Sequence, residues 1–219
     1  MISIGKFDMK FKGVIFDLDG VICFTDKYHF KAWKALADKL GIYFDEEIND
    51  RLRGVSRMAS LDIILERSDK KYSEDEKLRF AEEKNEIYRK LLAEMSPDDI
   101  SEEVRETLVK LKETGLKLSI GSSSKNTPLI LQKTDTAKYF DAVSDGNNIT
   151  HSKPNPEVFL KAAEFLGLKP EECLIVEDAF SGIDAGVAGG FKTAGIGPAS
   201  GYNKTDYPLK QFSDLLKNF

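Results

Sequence analysis

An apolar, β-prone run leads directly into two aspartates and a glycine in the stretch Phe11-Lys12-Gly13-Val14-Ile15-Phe16-Asp17-Leu18-Asp19-Gly20. The pattern predicts a buried strand that ends at Asp17. Because ligands of open α/β sheets bind beyond the carboxyl ends of the strands, Asp17 and Asp19 should face one pocket. Two neighbouring carboxylates repel each other unless a cation lies between them, and hard oxygen ligands suit Mg²⁺. With a metal bound, one carboxylate can attack while the other transfers a proton, a combination suited to phosphoryl transfer. The alternative is that both aspartates only cap a turn.

Three later segments contain residues that could reach the same pocket. A strand pattern over residues 116–121 is followed by hydroxyls, backbone N–H groups and an ammonium group that could cradle a phosphate, in Ser122, Ser123, Ser124, Lys125 and Asn126. Lys153 precedes two prolines, which restrict the backbone and can thereby aim the lysine. The apolar run over residues 173–176 ends in Glu177-Asp178, which are candidate metal ligands. Each segment alone also fits a plainer interpretation, as a solvated loop, a surface lysine or the acidic start of a helix.

Taken together, the four motifs resemble the haloacid dehalogenase-like superfamily, whose ordered motifs are matched by Asp17-Leu18-Asp19-Gly20, Ser122, Lys153 and Glu177-Asp178. Residues 14–22, 28–37 and 54–57 resemble the β-phosphoglucomutase family within it. The resemblance implies an aspartyl-phosphate mechanism with Asp17 as the nucleophile, Asp19 as the general acid and base, and Mg²⁺ as the cofactor. The implied metal ligands are Asp17, Asp19, Glu177 and Asp178.

The resemblance also divides the other polar residues between two phosphate sites. The phosphate being transferred would contact Ser122, Ser123 and Lys153. The sugar and the distal phosphate would contact Gly54, Val55, Arg57, Ser124, Lys125 and Asn126, with His29 and Lys84 near Asp19. Without the resemblance, Arg57 is better interpreted as a surface arginine at a helix start, and a lone His29 on a helix as structural.

The reaction implied by the resemblance is the interconversion of β-D-glucose 1-phosphate and glucose 6-phosphate through β-glucose 1,6-bisphosphate. A sugar-phosphate phosphatase would keep every catalytic residue, so it stays an alternative. A non-catalytic regulator that binds sugar phosphates is a further alternative. Such a regulator would tolerate the loss of Asp17 or of the metal-binding acids, and all of these are present.

Hydrophobic patterning divides the chain into an α/β core and a helical insert. Between about residues 26 and 95 strand patterns are absent, and apolar residues recur at a spacing that predicts three helices. We therefore expect a Rossmann-like, mostly parallel sheet core over residues 1–25 and 96–219, with a small α-helical cap domain inserted over residues 26–95. Hinges are expected near Thr25 and near Ser96-Pro97. Within the third cap helix, residues 82–86 are expected to be mostly solvent-exposed.

The composition favours an enzyme that acts on a small molecule. The 219-residue chain has a formal net charge of −5, which disfavours a nucleic-acid partner. Its two cysteines lie in apolar strand contexts, which predicts buried thiols rather than a disulfide. No stretch is long and apolar enough to suggest a membrane partner, and the start lacks a signal-peptide core, so we expect a cytoplasmic protein. We expect a monomer whose partner is a small sugar phosphate.

Overall fold

The computed structural model describes residues 11–52 and 55–218. Within these residues, six parallel strands form one sheet in the order β3-β2-β1-β4-β5-β6. The strands are β1 (Gly13–Phe16), β2 (Lys117–Gly121), β3 (Ala142–Ser144), β4 (Cys173–Glu177), β5 (Lys192–Gly195) and β6 (Tyr207–Pro208). The expected α/β fold with a parallel sheet is therefore confirmed, and the two-residue strand β6 is an addition that sequence patterning did not predict.

Helices separate the strands along the chain. They are α1 (Asp26–Leu40), α2 (Glu46–Asp50), α3 (Arg57–Leu65), α4 (Glu74–Leu92), α5 (Glu102–Glu113), α6 (Thr127–Lys133), α7 (Glu157–Leu166) and α8 (Phe180–Ala188). Helix α1 ends at Gly41, whose φ of 71° suits a glycine after the last helical turn. The five-residue helix α2 was not predicted, because so short a segment has no resolvable apolar period; it is capped by Asp45, which accepts a hydrogen bond from the Ile48 N–H at 2.9 Å.

The two faces of the sheet pack against different helices. Val14 and Phe16 belong to the apolar cluster that includes helix α5, whereas Ile15 packs with the buried face of α7. Because side chains alternate along a strand, Asp17 continues the side of Ile15. Asp17 therefore lies on the side of the sheet that packs against α7. Lys153 lies in the loop that leads into this helix.

The helical insert has an apolar cluster of its own. That cluster joins α1, α2, α3 and the start of α4, and its buried members include Trp33, Leu36, Phe44, Leu61 and Ile64. In contrast, Tyr28, Tyr88 and Leu92, at the two ends of the insert, pack with the cluster of the sheet. The division into a cap over residues 26–95 and a core agrees with this packing and stays a prediction. Across the described residues, no helix has the length and apolarity needed to cross a membrane.

Candidate active site

The strand register brings the predicted acids to one edge of the sheet. Phe16 at the end of β1 is aligned with Ile120 of β2 and with Val176 of β4. The Asp17 N–H then donates to the Val176 carbonyl oxygen at 2.9 Å, which fixes Asp17 beside Glu177. The chain builds outward from β1 through β2 and β3 on one side and through β4 and β5 on the other. Asp17 therefore lies at the topological switch point, where open α/β sheets bind their ligands.

A buried lysine links the two acidic strand ends. The Lys153 ammonium donates to Asp17 Oδ1 at 2.5 Å and also to Glu177 Oε1, and its side chain is only 5% exposed. Burial disfavours the charged ammonium, but the two carboxylates outweigh burial and raise the pKa of Lys153. Burial also raises the pKa of Asp17, and the Lys153 charge opposes that rise. The peptide bond between Lys153 and Pro154 is cis.

The carboxylates of Asp17, Glu177 and Asp178 form a compact group whose ligand atoms all lie within 4.8 Å of one another. Two glycines make room for it. A Cβ atom on Gly20, which has a φ of 90°, would lie 2.1 Å from Asp178 Oδ2, and a Cβ atom on Gly182 would lie 1.9 Å from Glu177 Oε1. An all-carboxylate oxygen donor set of this kind fits Mg²⁺.

Asp19 is turned toward the cap and is not in the carboxylate group found among the described residues. Its carboxylate accepts a hydrogen bond from the hydroxyl of Thr25, which is fully buried just before α1. Burial raises the pKa of Asp19, although the Thr25 hydrogen bond and the charge of Lys153 act in the opposite direction. The predicted hinge residue therefore contacts the predicted acid directly, whereas the carboxylate of Asp19 is not brought to the metal group.

The serine-rich loop after β2 lies beside Asp17, because β2 pairs directly with β1. Its turns are internally bonded: the Ser124 N–H donates to Ser122 Oγ, and the Asn126 N–H donates to Ser124 Oγ, each at 3.2 Å. Among the described residues, the Ser123 hydroxyl is shielded from solvent and has no hydrogen-bond partner. A buried hydroxyl in this state is suited to an anionic ligand. Lys125 is exposed.

Helix α4 inserts a lysine into an aromatic environment. Lys84 is 3% exposed; its Nζ lies 3.0 Å from His29 Nδ1 and 4.6 and 4.5 Å from the ring centroids of Trp33 and Tyr88. Burial, followed by repulsion from Arg57, lowers the pKa of Lys84 to about 7. Burial, followed by the charge of Lys84, lowers the pKa of His29 well below its usual range. His29 and Lys84 thus form one pair.

The expectation that residues 82–86 are mostly solvent-exposed is wrong for Lys84 and Asn85, which are both buried. The reason is helical geometry. The inward face of α4 is formed by residues spaced three or four apart, namely Ala81, Lys84, Asn85, Tyr88 and Leu92. The spacing of Ala81, Tyr88 and Leu92 was visible in the sequence and would have identified Lys84 and Asn85 as inward-facing.

Asn85 is a further candidate site residue, and the sequence pattern did not identify it. Its Oδ1 accepts one hydrogen bond from Arg57 Nη2 at 2.9 Å and another from Asn126 Nδ2 at 3.0 Å. The structure thereby brings together two of the residues predicted for the distal phosphate, one from the cap and one from the core. Val55 is exposed, and Gly54 lies outside the described residues.

Comparisons with known proteins agree with this arrangement. A family model described as "haloacid dehalogenase-like hydrolase" matches residues 11–190. The chain is 38% identical to "Beta-phosphoglucomutase" of Bacillus subtilis over 93% of this chain and 91% of the relative, and 34% identical to "Phosphorylated carbohydrates phosphatase" of Thermotoga maritima over 84% and 82%. A crystal structure of β-phosphoglucomutase from Clostridium difficile is similar with a TM-score of 0.87 and 39% identity, covering 94% of this chain and 93% of the other. The chain belongs to the haloacid dehalogenase-like hydrolase family.

Proposed function

We propose that this protein is a β-phosphoglucomutase, which interconverts β-D-glucose 1-phosphate and glucose 6-phosphate by way of β-glucose 1,6-bisphosphate. The observation that carries the proposal is the meeting of Arg57 and Asn126 on Asn85. A mutase must hold one phosphate at a distance while the other reacts, and a cationic side chain next to an amide donor suits that task. The 38% identity to the Bacillus subtilis relative supports the same activity.

In the proposed reaction, Asp17 attacks the phosphorus in line and becomes an aspartyl phosphate. A phosphate ester shields its phosphorus with anionic oxygens, so the site must first neutralise them. The Lys153 ammonium and the donors of Ser122 and Ser123 would do so from fixed positions. When bound, Mg²⁺ would supply further neutralising charge, and we propose that Asp17 and Asp178 hold it. Glu177 then serves chiefly to hold Lys153, because its Oε1 accepts from that lysine and its Oε2 accepts from the N–H groups of Asp178 and Ala179.

Asp19 would act as the general acid and then as the general base. It must carry a proton when the sugar oxygen leaves, and burial favours its protonated form by raising its pKa. Once the sugar has departed, Asp19 can take a proton from the hydroxyl that attacks the phosphoenzyme. The Thr25 hydroxyl holds its carboxylate from the cap side, so movement of the cap at Thr25 would also move the acid.

The cap would exclude water from the aspartyl phosphate. Bulk water competes for the aspartyl phosphate, and a sugar hydroxyl can prevail only by being positioned while water is kept out. The buried side chains of Lys84, Tyr88 and Leu92 on α4 supply such a seal over the sheet. A sugar-phosphate phosphatase of the same family is the second candidate, because it would keep the same acids and only admit more water to the site. The 34% identity to the Thermotoga maritima phosphatase supports keeping this candidate.

The test is incubation with β-D-glucose 1-phosphate, catalytic β-glucose 1,6-bisphosphate and Mg²⁺, with glucose 6-phosphate and inorganic phosphate measured in parallel. A mutase forms mainly glucose 6-phosphate. Asp17→Asn is the control and should abolish turnover, because an amide is a poor nucleophile. Release of mainly inorganic phosphate by the wild type would identify a phosphatase, and a phosphoenzyme trapped on a residue other than Asp17 would contradict the mechanism.

A further inference from the structure

The amide of Asn85 has an orientation that its neighbours dictate. A guanidinium group has N–H donors and no acceptor, so Asn85 must present its oxygen to Arg57. The same oxygen faces Asn126, which must therefore present its NH₂ group. Arg57 thus sets the orientation of the Asn126 amide indirectly, because both residues donate to the same oxygen atom of Asn85.

The side chain of Asn126 contacts the cap and not its own helix. Asn126 occupies the N-cap position of α6, where an asparagine oxygen commonly accepts from a backbone N–H of the first turn. Here the side chain makes no such capping bond. Its hydrogen bond is made instead to α4 of the cap, at a residue 41 positions away in the chain. Asn126 therefore contributes its amide to a contact between cap and core and not to its own helix.

We propose that Asn85 is a positioning residue for the anion site between cap and core, and this inference rests on the proposed function. Its carbonyl oxygen holds the Arg57 guanidinium and the Asn126 amide side by side, so that their remaining N–H groups converge on the phosphate that is not being transferred. Two donor nitrogens held within 3.0 Å of one oxygen are near enough to share one phosphate. Asn85 itself is uncharged, which avoids repelling that anion.

Two substitutions separate the positioning role from a purely structural one. Asn85→Leu keeps the approximate shape and removes the acceptor, so Arg57 and Asn126 are no longer aligned. Asn85→Asp keeps an acceptor for both donors and adds a negative charge beside the anion. We expect Asn85→Asp to keep the wild-type melting temperature and yet bind the bisphosphate more weakly. If Asn85 only held the cap in place, a variant of unchanged stability would also keep its affinity.

The measurement is calorimetric titration with β-glucose 1,6-bisphosphate in an Asp17→Asn background, which prevents transfer to the nucleophile. Each Asn85 variant should bind about 10- to 100-fold more weakly, as expected when a hydrogen bond to a charged group is lost or opposed. Glu86→Ala, on the exposed side of the same helix, is the matched control and should bind like the parent. Because Asn85 acts through Arg57 and Asn126, Asn85→Leu should weaken binding less than about 3-fold further when Arg57→Ala and Asn126→Ala are both already present.

The outcomes distinguish this inference from the proposed function. Failure of the Asp17→Asn parent to bind the bisphosphate would overturn both. Binding by the parent that is unchanged in Asn85→Leu, or a loss from Asn85→Leu that multiplies independently with the loss from the combined Arg57→Ala and Asn126→Ala substitutions, would overturn only the positioning role of Asn85.

Discussion

Replacing Lys153 with methionine should destabilise the fold strongly, because this lysine is the buried partner of two carboxylates. The side chains of Lys153, Asp17 and Glu177 are 5%, 11% and 1% exposed. Removing one partner of a buried ion pair costs about 3–5 kcal/mol, since a charge is left uncompensated away from water. With a urea m-value of about 2 kcal/mol/M, a loss of this size lowers the unfolding midpoint by roughly 2 M.

The loss should also depend on pH. Burial already raises the pKa of Asp17, and removing the ammonium raises it further. Above the usual pKa of an aspartate, the folded variant then retains protons that the unfolded chain has released, so the stability of the variant falls as pH rises. Lys153→Met should therefore be less destabilised, relative to wild type, at pH 5 than at pH 7.5.

Urea unfolding followed by circular dichroism at both pH values tests this reasoning. Lys138→Met is the matched control, because it removes an exposed lysine whose partner, Asp135, lies at 2.5 Å on the surface. Exposed pairs are screened by water, so the control should unfold at the wild-type midpoint. A Lys153→Met protein that unfolds at the same midpoint as this control, or whose loss is equal at pH 5 and pH 7.5, would refute the argument.

Three further predictions concern the acid, the cap and the loop before α7. Asp19→Asn should slow turnover by about 10²–10⁴ through loss of proton transfer, as measured by steady-state kinetics; a wild-type rate would remove Asp19 from the mechanism. Arg57→Ala should weaken sugar-phosphate binding by about 2–5 kcal/mol and release more inorganic phosphate per glucose 6-phosphate formed, whereas an unchanged product ratio would contradict a distal clamp. Glu157 accepts from the N–H groups of His151 and Thr150, which lowers the pKa of Glu157 from 4.5 to about 2. The ionised Glu157 should stabilise the fold fully above its usual pKa, and this stabilisation should be lost as pH falls toward 2. In acid unfolding followed by circular dichroism, Glu157→Ala should therefore lose less stability than wild type as pH falls through this range. Identical acid transitions in wild type and variant would contradict this role of Glu157.

The sequence predicted the positions of the strand ends well, because the strands of a parallel sheet are buried on both faces and read as apolar runs. The apolar runs before Asp17 and Glu177 end at these two acids. The register of β1 with β4 then places the acids side by side. Helix α5 at Glu102–Glu113 likewise coincides with an apolar period that can be seen in the sequence, because its buried residues Val104, Leu108 and Leu111 lie three or four positions apart. Such regular patterns indicate directly which side chains of a strand or helix are buried.

The motifs predicted that residues distant in the chain share one pocket, but they could not reveal which of the side chains touch. Lys153 and Asp17 are 136 positions apart, and only the folded sheet determines that their side chains meet. Asn85 was hidden for a different reason: the charged residues around it made the whole segment resemble a solvated surface, although only one side of α4 is exposed. Local composition describes a helix as a whole, whereas a binding site uses one side of it.

The separate apolar cluster of the insert has a consequence for engineering new specificity. Since most side chains that pack α1, α2 and α3 together form a cluster separate from that of the sheet, the effects of substitutions in that cluster on stability should be independent of substitutions at the sheet. A combinatorial library in those three helices could therefore explore other substrates while leaving the reaction centre in place. The exceptions are the inward face of α4 and single positions on the other helices, because Tyr28, Tyr88 and Leu92 pack with the sheet. Arg57 at the start of α3 and Asn85 on α4 belong to the contact with the core. Laboratory evolution of this enzyme should diversify the first three helices at positions other than Tyr28 and Arg57 and keep the inward face of the fourth constant.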